Sequence, residues 1–263
     1  MISVAAGEEL ELSTEEYLLA WQHLRLGVVH WNLQPSSSAG EERTVAEGLA
    51  AQRQAWEALR ARGLASTRQL APELQELLYL IARSAAELNA RLDLPEGKRT
   101  VVGCARGEHA ALAELSGWGV RIRAVRATAL PTAVAEVIPE RPRGSGQAVS
   151  VPVGLLADEQ GMTGADVQRA LLGGGLRPAD AQCFRAMLAG PKLGGGTFGA
   201  ARRDRQGRRR IAEFVVTYYD TERGGYTIEQ KRGIDRSRWY TVAPASRRQL
   251  AQRLAHLLDS IRV

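Results

Sequence analysis

The sequence predicts an α+β protein whose two halves share one order of elements and are related by a pseudo-twofold. First, the apolar period changes from about 3.6 to 2 after residue 81, and the same change recurs in the second half. Second, each half contains four consecutive strand-like segments joined by turns. Third, a segment rich in Pro, Gly and Arg, residues 139–146, separates the halves. Because the strands are consecutive, we expect two antiparallel meanders that share one sheet or pack as neighbours, covered by two groups of helices.

The first half begins with a strand and three helices. The Ser13 hydroxyl and the Glu16 carboxylate have capping-box spacing, so a helix is predicted to begin there, and Gly27 ends it. Pro72 is favoured in a first helical turn and opens another helix. The other predicted elements are a strand at 8–12, a helix at 41–62, strands at 88–92, 100–105, 109–115 and 120–126, and a helix at 128–137.

The second half repeats this order. A strand is predicted at 147–151, helices at 152–159, 165–172 and 178–188, and strands at 197–203, 209–218, 225–231 and 238–242. After Pro244, a final helix carries leucines at helical spacing. We therefore expect an N-terminal half at residues 1–143 and a C-terminal half at residues 144–263, together forming one compact unit.

Composition narrows the class of protein. Of 263 residues, 44% are hydrophobic and 24% charged, values typical of globular proteins and unlike those of disordered or collagen-like chains. No stretch reaches the ~18 apolar residues of a membrane span, and glutamates lie where a signal peptide carries lysines, so we expect a cytoplasmic protein without membrane contact. Cys104 and Cys183 have no C-x-x-C spacing, which favours reduced, buried thiols over a disulfide or zinc site.

Positive charge is concentrated in the second half. Residues 1–150 hold 16 Lys and Arg against 18 Asp and Glu, whereas residues 151–263 hold 19 against 11. Six arginines lie between Arg202 and Arg210, on a predicted hairpin that could neutralise phosphates. A nucleic-acid-binding protein using this hairpin is therefore an alternative function. Because stacking aromatics are sparse there, no nucleic acid is expected, and either an acidic protein partner or no partner at this hairpin is favoured.

The sequence indicates no catalytic, cofactor-binding or metal-binding residues. Gly194 to Gly199 formally matches G-x-G-x-x-G, but it leaves a predicted helix and enters a strand, the reverse of a dinucleotide site, so a flexible hinge is favoured. The four histidines are scattered and lack ligand spacing. We expect a protein that is not an enzyme and needs no cofactor; a diverged enzyme would require a deep pocket with convergent ionisable groups.

Four segments in the last third of the chain are distinctive, and these are Gly195 to Asp204, Gly207 to Arg210, Tyr219 to Tyr226 and Trp239 to Ala245. In these segments the chain resembles the EspG family of type VII (ESX) secretion chaperones. The similarity is specific between Gly194 and Ala245, whereas similarity in element order extends over nearly the whole chain.

This resemblance implies a fold, a function and a partner. Members have a central, largely antiparallel sheet flanked by two helical groups, and they keep PE–PPE heterodimers soluble in the cytoplasm until secretion. The family grips the PPE tip with the loop between the second and third strands, together with the C-terminal helical part and the sheet surface. By position, the corresponding loop of this chain lies between the second and third predicted strands. The resemblance therefore implies six partner-binding residues, Leu94, Pro95, Glu96, Gly97, Lys98 and Arg99.

Overall fold

The computed structural model describes residues 9–35, 44–156, 164–233 and 236–262. Seven α-helices lie within these ranges: α1 (Thr14–His23), α2 (Val45–Ala61), α3 (Pro72–Ala82), α4 (Leu130–Ala135), α5 (Gly164–Gly173), α6 (Pro178–Leu188) and α7 (Arg247–Asp259). Short 3₁₀ segments occur at Trp31–Leu33, Ala127–Ala129 and Val153–Leu156.

The strands of the first half are β1 (Glu9–Leu12), β2 (Ala86–Leu94), β3 (Gly97–Arg106), β4 (His109–Ser116) and β5 (Gly119–Arg126). Those of the second half are β6 (Val149–Pro152), β7 (Gly194–Arg203), β8 (Arg209–Ile211), β9 (Val216–Thr221), β10 (Gly224–Arg232) and β11 (Arg238–Pro244).

All of these strands belong to one antiparallel sheet, which confirms the predicted fold class. The strand order is β1-β5-β4-β3-β2-β7-β9-β10-β11-β6, and β8 pairs separately with β7. From the β2–β7 pair outward, each half contributes a meander of consecutive strands. The first strand of each half, β1 or β6, lies at the outer edge of the sheet. The pseudo-twofold therefore passes between β2 and β7, which pair from Ala86↔Arg202 to Asp93↔Gly195.

Three apolar clusters hold the helices to the sheet. On one face, α4 and α7 cover the central strands, where Leu88, Phe198 and Tyr218 are buried. On the opposite face, α1 to α3 cover the first half around Trp21. On that same face α5 and α6 cover the second half around Phe184. The described helices thus cover the central strands on one face only.

Local signals explain where several helices begin. The Ser13–Glu16 capping box is present at α1, with the Ser13 N–H donating to Glu16 Oε2 at 2.7 Å. Thr44 and Glu47 form the same box at α2, so that helix begins later than the predicted residue 41; residues 36–43 lie outside the described residues. A helix was predicted at 152–159, and the structure has a 3₁₀ segment at Val153–Leu156. Residues 157–163 lie outside the described residues.

The predicted strand 209–218 is wrong as one continuous element. The pairs Ala201↔Ile211 and Phe198↔Val216 flank the interruption. Between them, the four residues 212–215 lie opposite only two residues of β7, 199 and 200. The two additional residues form a bulge, which separates β8 from β9. Apolar residues recur at every second position, at Ala212, Phe214, Val216 and Tyr218, so the sequence pattern did not reveal the interruption.

The predicted burial of both thiols is also partly wrong. Cys104 is buried and Cys183 is half-buried, and neither forms a disulfide. Cys183 lies on α6, where its Sγ approaches the Gln147 carbonyl oxygen at 3.8 Å, at the border of the helical group.

The segment at residues 139–146 is docked on the sheet. Gly144 N–H donates to the Gly225 carbonyl at 3.0 Å, and Gly225 N–H donates to the Pro142 carbonyl at 2.9 Å. A Cβ atom at Gly144 would lie 2.3 Å from the Tyr226 ring, so glycine allows this close approach. The connection between the halves is therefore held by the β9–β10 hairpin.

We predict that Gly225→Ala destabilises the protein by about 1–3 kcal/mol, the usual cost of an added atom in a packed site. The new Cβ would lie 2.3 Å from the Tyr218 hydroxyl and 2.6 Å from the Ala245 carbonyl oxygen, and the latter is backbone. Urea unfolding of Gly225→Ala and of the control Gly117→Ala, whose Cβ would meet open space, measures the difference. Equal stability of the two variants would contradict the prediction.

Candidate functional site

A furrow crosses the middle of the sheet on the face without α4 and α7. We call it the central furrow and define it by Asn89, Arg91 and Asp93 of β2, Thr197 of β7 and Thr217 of β9. Arg91, Asp93 and Thr197 are exposed although β2 and β7 are the central strands. The alternate residues of β2, such as Leu88, are buried beneath α7 and α4. The furrow is therefore the sheet surface left between the two helical groups.

Trp31 lies beside the furrow, on the side of the first half. Its ring is 50% exposed, and the Arg91 guanidinium lies 4.9 Å from the ring centroid. A cation–π contact of this kind orients both side chains while leaving their outer surfaces free. Trp31 thus adds an aromatic surface to a polar furrow.

An ionic cluster closes one end of the furrow. Glu87 is buried and lies 3.2 Å from His30 Nε2 and 2.8 Å from Arg209 Nη2, while Asn89 Nδ2 donates to its Oε1 at 3.1 Å. Burial raises the pKa of Glu87, but the hydrogen bonds from His30 and Arg209 outweigh burial and lower the pKa to about 2. Glu87 is therefore a carboxylate that ties the first half to β8.

A cleft of about 320 Å³ opens at the other end. Its walls are the end of β2 with Pro95, the segment that joins α6 to β7, and the middle of β9. Leu193 N–H donates to the Asp220 carbonyl at 2.8 Å, and the Lys192 ammonium lies 5.2 Å from the centroid of the Tyr219 ring. These contacts hold Leu193 in place with its side chain 37% exposed.

The glycines beside the cleft are part of a strand, so the predicted flexible hinge at Gly194 to Gly199 is wrong. Gly195 and Gly196 pair with β2 on one side and with β9 on the other. A Cβ atom at Gly196 would lie 2.4 Å from the Arg91 carbonyl oxygen, and one at Gly195 would lie 2.2 Å from that of Tyr218. Glycine is required here because three strands approach closely.

The hairpin with the sequence-predicted partner residues borders this cleft. Leu94 and Gly97 pair at the end of β2 and β3, which leaves Pro95 and Glu96 as a tight two-residue turn. Leu94 is only 6% exposed and packs into the core, whereas Pro95, Glu96 and Lys98 are exposed. Arg99 is half-buried and lies 3.8 Å from Glu114. Of the six residues, Leu94 and Pro95 line the cleft.

Most arginines of the basic hairpin are engaged within the protein. Arg202 pairs with Asp259, Arg209 with Glu87 and Arg210 with Asp204, while Arg203 donates to a backbone carbonyl. Arg205 and Arg208 have no ion-pair partner among the described residues. Since carboxylates neutralise three of the six cations and a backbone carbonyl holds a fourth, this geometry does not favour the alternative of a nucleic-acid site.

Several residues of the furrow and the cleft could not be identified from the sequence, because helices cover the central strands on one face and leave the other open. Trp31, Arg91, Lys192, Leu193 and Tyr219 were not assigned to a site, because they are far apart in sequence and meet only through the β2–β7 pairing. A usable signal was the polar alternation of β2, which on a central strand indicates one uncovered face.

Two features are absent from the described ranges. No group of three or more His, Cys, Asp and Glu side chains there could hold a metal ion. Nor is any described helix both long and apolar enough to cross a membrane.

Comparisons with known proteins are informative at the level of family and fold. The sequence matches the model of the EspG family over residues 13–256. No curated protein matches. A similar solved structure is that of the Mycobacterium tuberculosis type VII secretion system chaperone EspG5 in complex with the PE25–PPE41 dimer. Its TM-score is 0.73 at 17% identity, covering 97% of each chain.

We predict that Glu87→Gln destabilises the protein by about 2 kcal/mol near pH 7, because charge-assisted hydrogen bonds to a buried group are lost. The pKa of Glu87 is lowered from its ordinary 4.5, so its stabilisation is complete above that pH and is lost as pH falls toward 2. The difference from the unsubstituted protein should therefore shrink below pH 4.5. Urea unfolding between pH 7 and pH 3 measures it.

The control is Glu108→Gln, an exposed carboxylate on the β3–β4 turn, which should change stability by less than about 0.5 kcal/mol at every pH. A destabilisation by Glu87→Gln that grows as the solution is acidified would contradict the assignment.

Proposed function

The chain belongs to the EspG family, and from this we propose that it is a type VII secretion chaperone that binds a PE–PPE heterodimer and keeps it soluble. The family match over residues 13–256 carries the proposal, since it includes every strand of the sheet except β1 and every helix except the last three residues of α7. The similar chaperone EspG5 was solved together with a PE25–PPE41 dimer, which supports a client of the same kind here. We place this activity in the cytoplasm.

The surface described above suits a helical client with an apolar tip. Trp31 and Leu193 provide exposed apolar area at the furrow and the cleft, and Arg91, Asp93 and Lys192 provide charge around it. An apolar centre with a polar rim is the usual anatomy of a reversible protein interface. The cleft is held by backbone pairing, so little ordering accompanies binding.

In our proposal the β2–β3 turn contacts the client directly. Pro95, Glu96 and Lys98 are exposed at its tip and supply the contacts. Leu94 and Gly97 shape the turn, because Leu94 is buried and Gly97 has a φ of 117°, which favours glycine. Arg99 takes part at the border, near Glu114. The client tip would then lie between the turn and Leu193.

The proposed activity is shielding without covalent chemistry. A chaperone of this kind covers an apolar surface that would otherwise associate, and then releases it. We further propose that residues 1–143 and 144–263 act as one cooperative unit during this cycle. The β2–β7 ladder and the shared packing of α4 with α7 support that view.

We predict that co-expression with a PE–PPE pair from the same genome yields a stable complex and a more soluble client. Affinity purification followed by size-exclusion chromatography measures complex formation, and the soluble fraction of the client is compared with and without the chain. Failure of every PE–PPE pair of that genome to form a complex would refute the proposed function.

We predict that Leu193→Asp weakens the client complex by at least about tenfold, since charge would replace apolar area at the centre of the cleft. Leu49→Asp is the matched control: Leu49 is 49% exposed, against 37% for Leu193, but it lies on α2, away from the cleft. Titration calorimetry with a purified PE–PPE dimer compares them. Equal affinities of the two variants would exclude the cleft as the contact site.

A further inference from the structure

A second groove lies at the opposite end of the central strands. It has a volume of about 630 Å³ and lies between the bulge at residues 212–215, the end of β10 and the last turns of α7. Ala201 pairs with β8 beside this groove and lies six positions after Gly195 at the cleft, which is about 20 Å along the strand. α7 forms one wall, whereas Ile211 pairs with Ala201, which pairs with Glu87 on the face of the furrow. The groove therefore opens through the gap that the bulge leaves between β8 and β10.

The groove contains a strand edge without a strand partner. Pairing between β9 and β10 ends at Val216↔Glu229, whereas pairing between β10 and β11 continues to Arg232↔Arg238. Among the described residues, 230–232 of β10 therefore pair with no strand on the β9 side, because the bulge turns the chain away. An edge of this kind can pair with an extended peptide from another molecule.

Apolar side chains line the groove and remain open to solvent. Ile211 is 67% exposed and Val215 is 46% exposed, and Phe214 and Leu257 beside them are half-buried. Exposed apolar groups that line one concavity are typical of contact sites. They predict apolar side chains in whatever occupies the groove.

Positive charge surrounds this apolar floor. Five Lys and Arg side chains line the groove against two carboxylates, and these are Arg210, Lys231, Arg232, Arg253 and Arg262 with Glu213 and Glu229. Arg232 pairs with Glu213, and Arg253 and Lys231 share Glu229. Arg262 has no ion-pair partner among the residues described. Arg210 pairs with Asp204, so the five cations face three carboxylates, and the remaining excess of two positive charges matches an acidic occupant.

We propose that this groove binds an extended acidic segment of a protein partner, in which apolar and acidic residues alternate. Alternation places one set of side chains on each face of a strand. The apolar set then meets Ile211 and Val215, and the carboxylates meet the rim, while the backbone pairs with residues 230–232. The strand edge at residues 230–232 and the apolar lining favour a peptide over a nucleic acid, because a phosphate backbone supplies neither strand hydrogen bonds nor apolar side chains. This surface is additional to the proposed client site.

The test uses the full chain and a fluorescein-labelled peptide of alternating leucine and aspartate. Fluorescence anisotropy should detect binding of this peptide, and binding of leucine–lysine and serine–aspartate peptides should be at least about tenfold weaker. The double variants Ile211→Ser/Val215→Ser and Arg232→Glu/Arg262→Glu should each weaken binding about tenfold. The matched control Arg205→Glu/Arg208→Glu, on the hairpin tip outside the groove, should bind like the unsubstituted protein.

Each result has a defined meaning. Absence of binding to the leucine–aspartate peptide overturns the proposal, as does equal weakening by the hairpin-tip control, which would indicate diffuse charge attraction. A single-stranded oligonucleotide that displaces the peptide and binds more tightly overturns it in favour of nucleic acid. Retention of the PE–PPE complex by Ile211→Ser/Val215→Ser supports a separate surface, and loss of that complex overturns the separation.

Discussion

The antiparallel pairing of β2 with β7 is the interaction on which the rest of the structure depends. It joins two meanders into one sheet and brings Leu88 and Phe198 together under α4 and α7. It also determines what stays uncovered, since the other helices pack outward over each half and leave Arg91 and Thr197 in the open. The glycines at the start of β7 permit this pairing by removing side chains that would collide with neighbouring carbonyls. The proposed client surface is thus a direct result of how the halves are joined.

Local chemistry made much of the fold predictable from the sequence, and long-range geometry limited the rest. The Ser13 capping box, Pro72 and the turns of the first meander are signals within a few residues, and the structure confirms them. The bulge at residues 212–215 is invisible locally, because the apolar alternation on both sides continues. The cleft is likewise invisible, since Pro95 and Leu193 meet only after β2 and β7 have paired. The partner-binding assignment of the β2–β3 turn came from family resemblance and remains a prediction.

The residues that carry the family resemblance have structural roles. Within Tyr219 to Tyr226, Asp220 accepts a hydrogen bond from the Tyr218 hydroxyl at 2.6 Å, and Gly225 holds the segment between the halves. Burial raises the pKa of Asp220, while the Tyr218 hydrogen bond and Arg141 oppose that effect. Buried polar groups tolerate little change because an unpaired partner is costly. A family can therefore be recognised from this motif although the motif itself does not identify the client.

The two outer strands give the sheet a further property. β1 and β6 are four residues each, and they lie at opposite ends of a sheet of eleven strands. β1 carries Glu9 and Glu11, and Arg62 donates to the Glu11 carbonyl; β6 ends at Pro152, which lacks an N–H. Edge strands that are short, charged or ended by proline discourage edge-to-edge pairing between copies of the protein. These two edges thus lower the tendency of so large a sheet to seed fibrils.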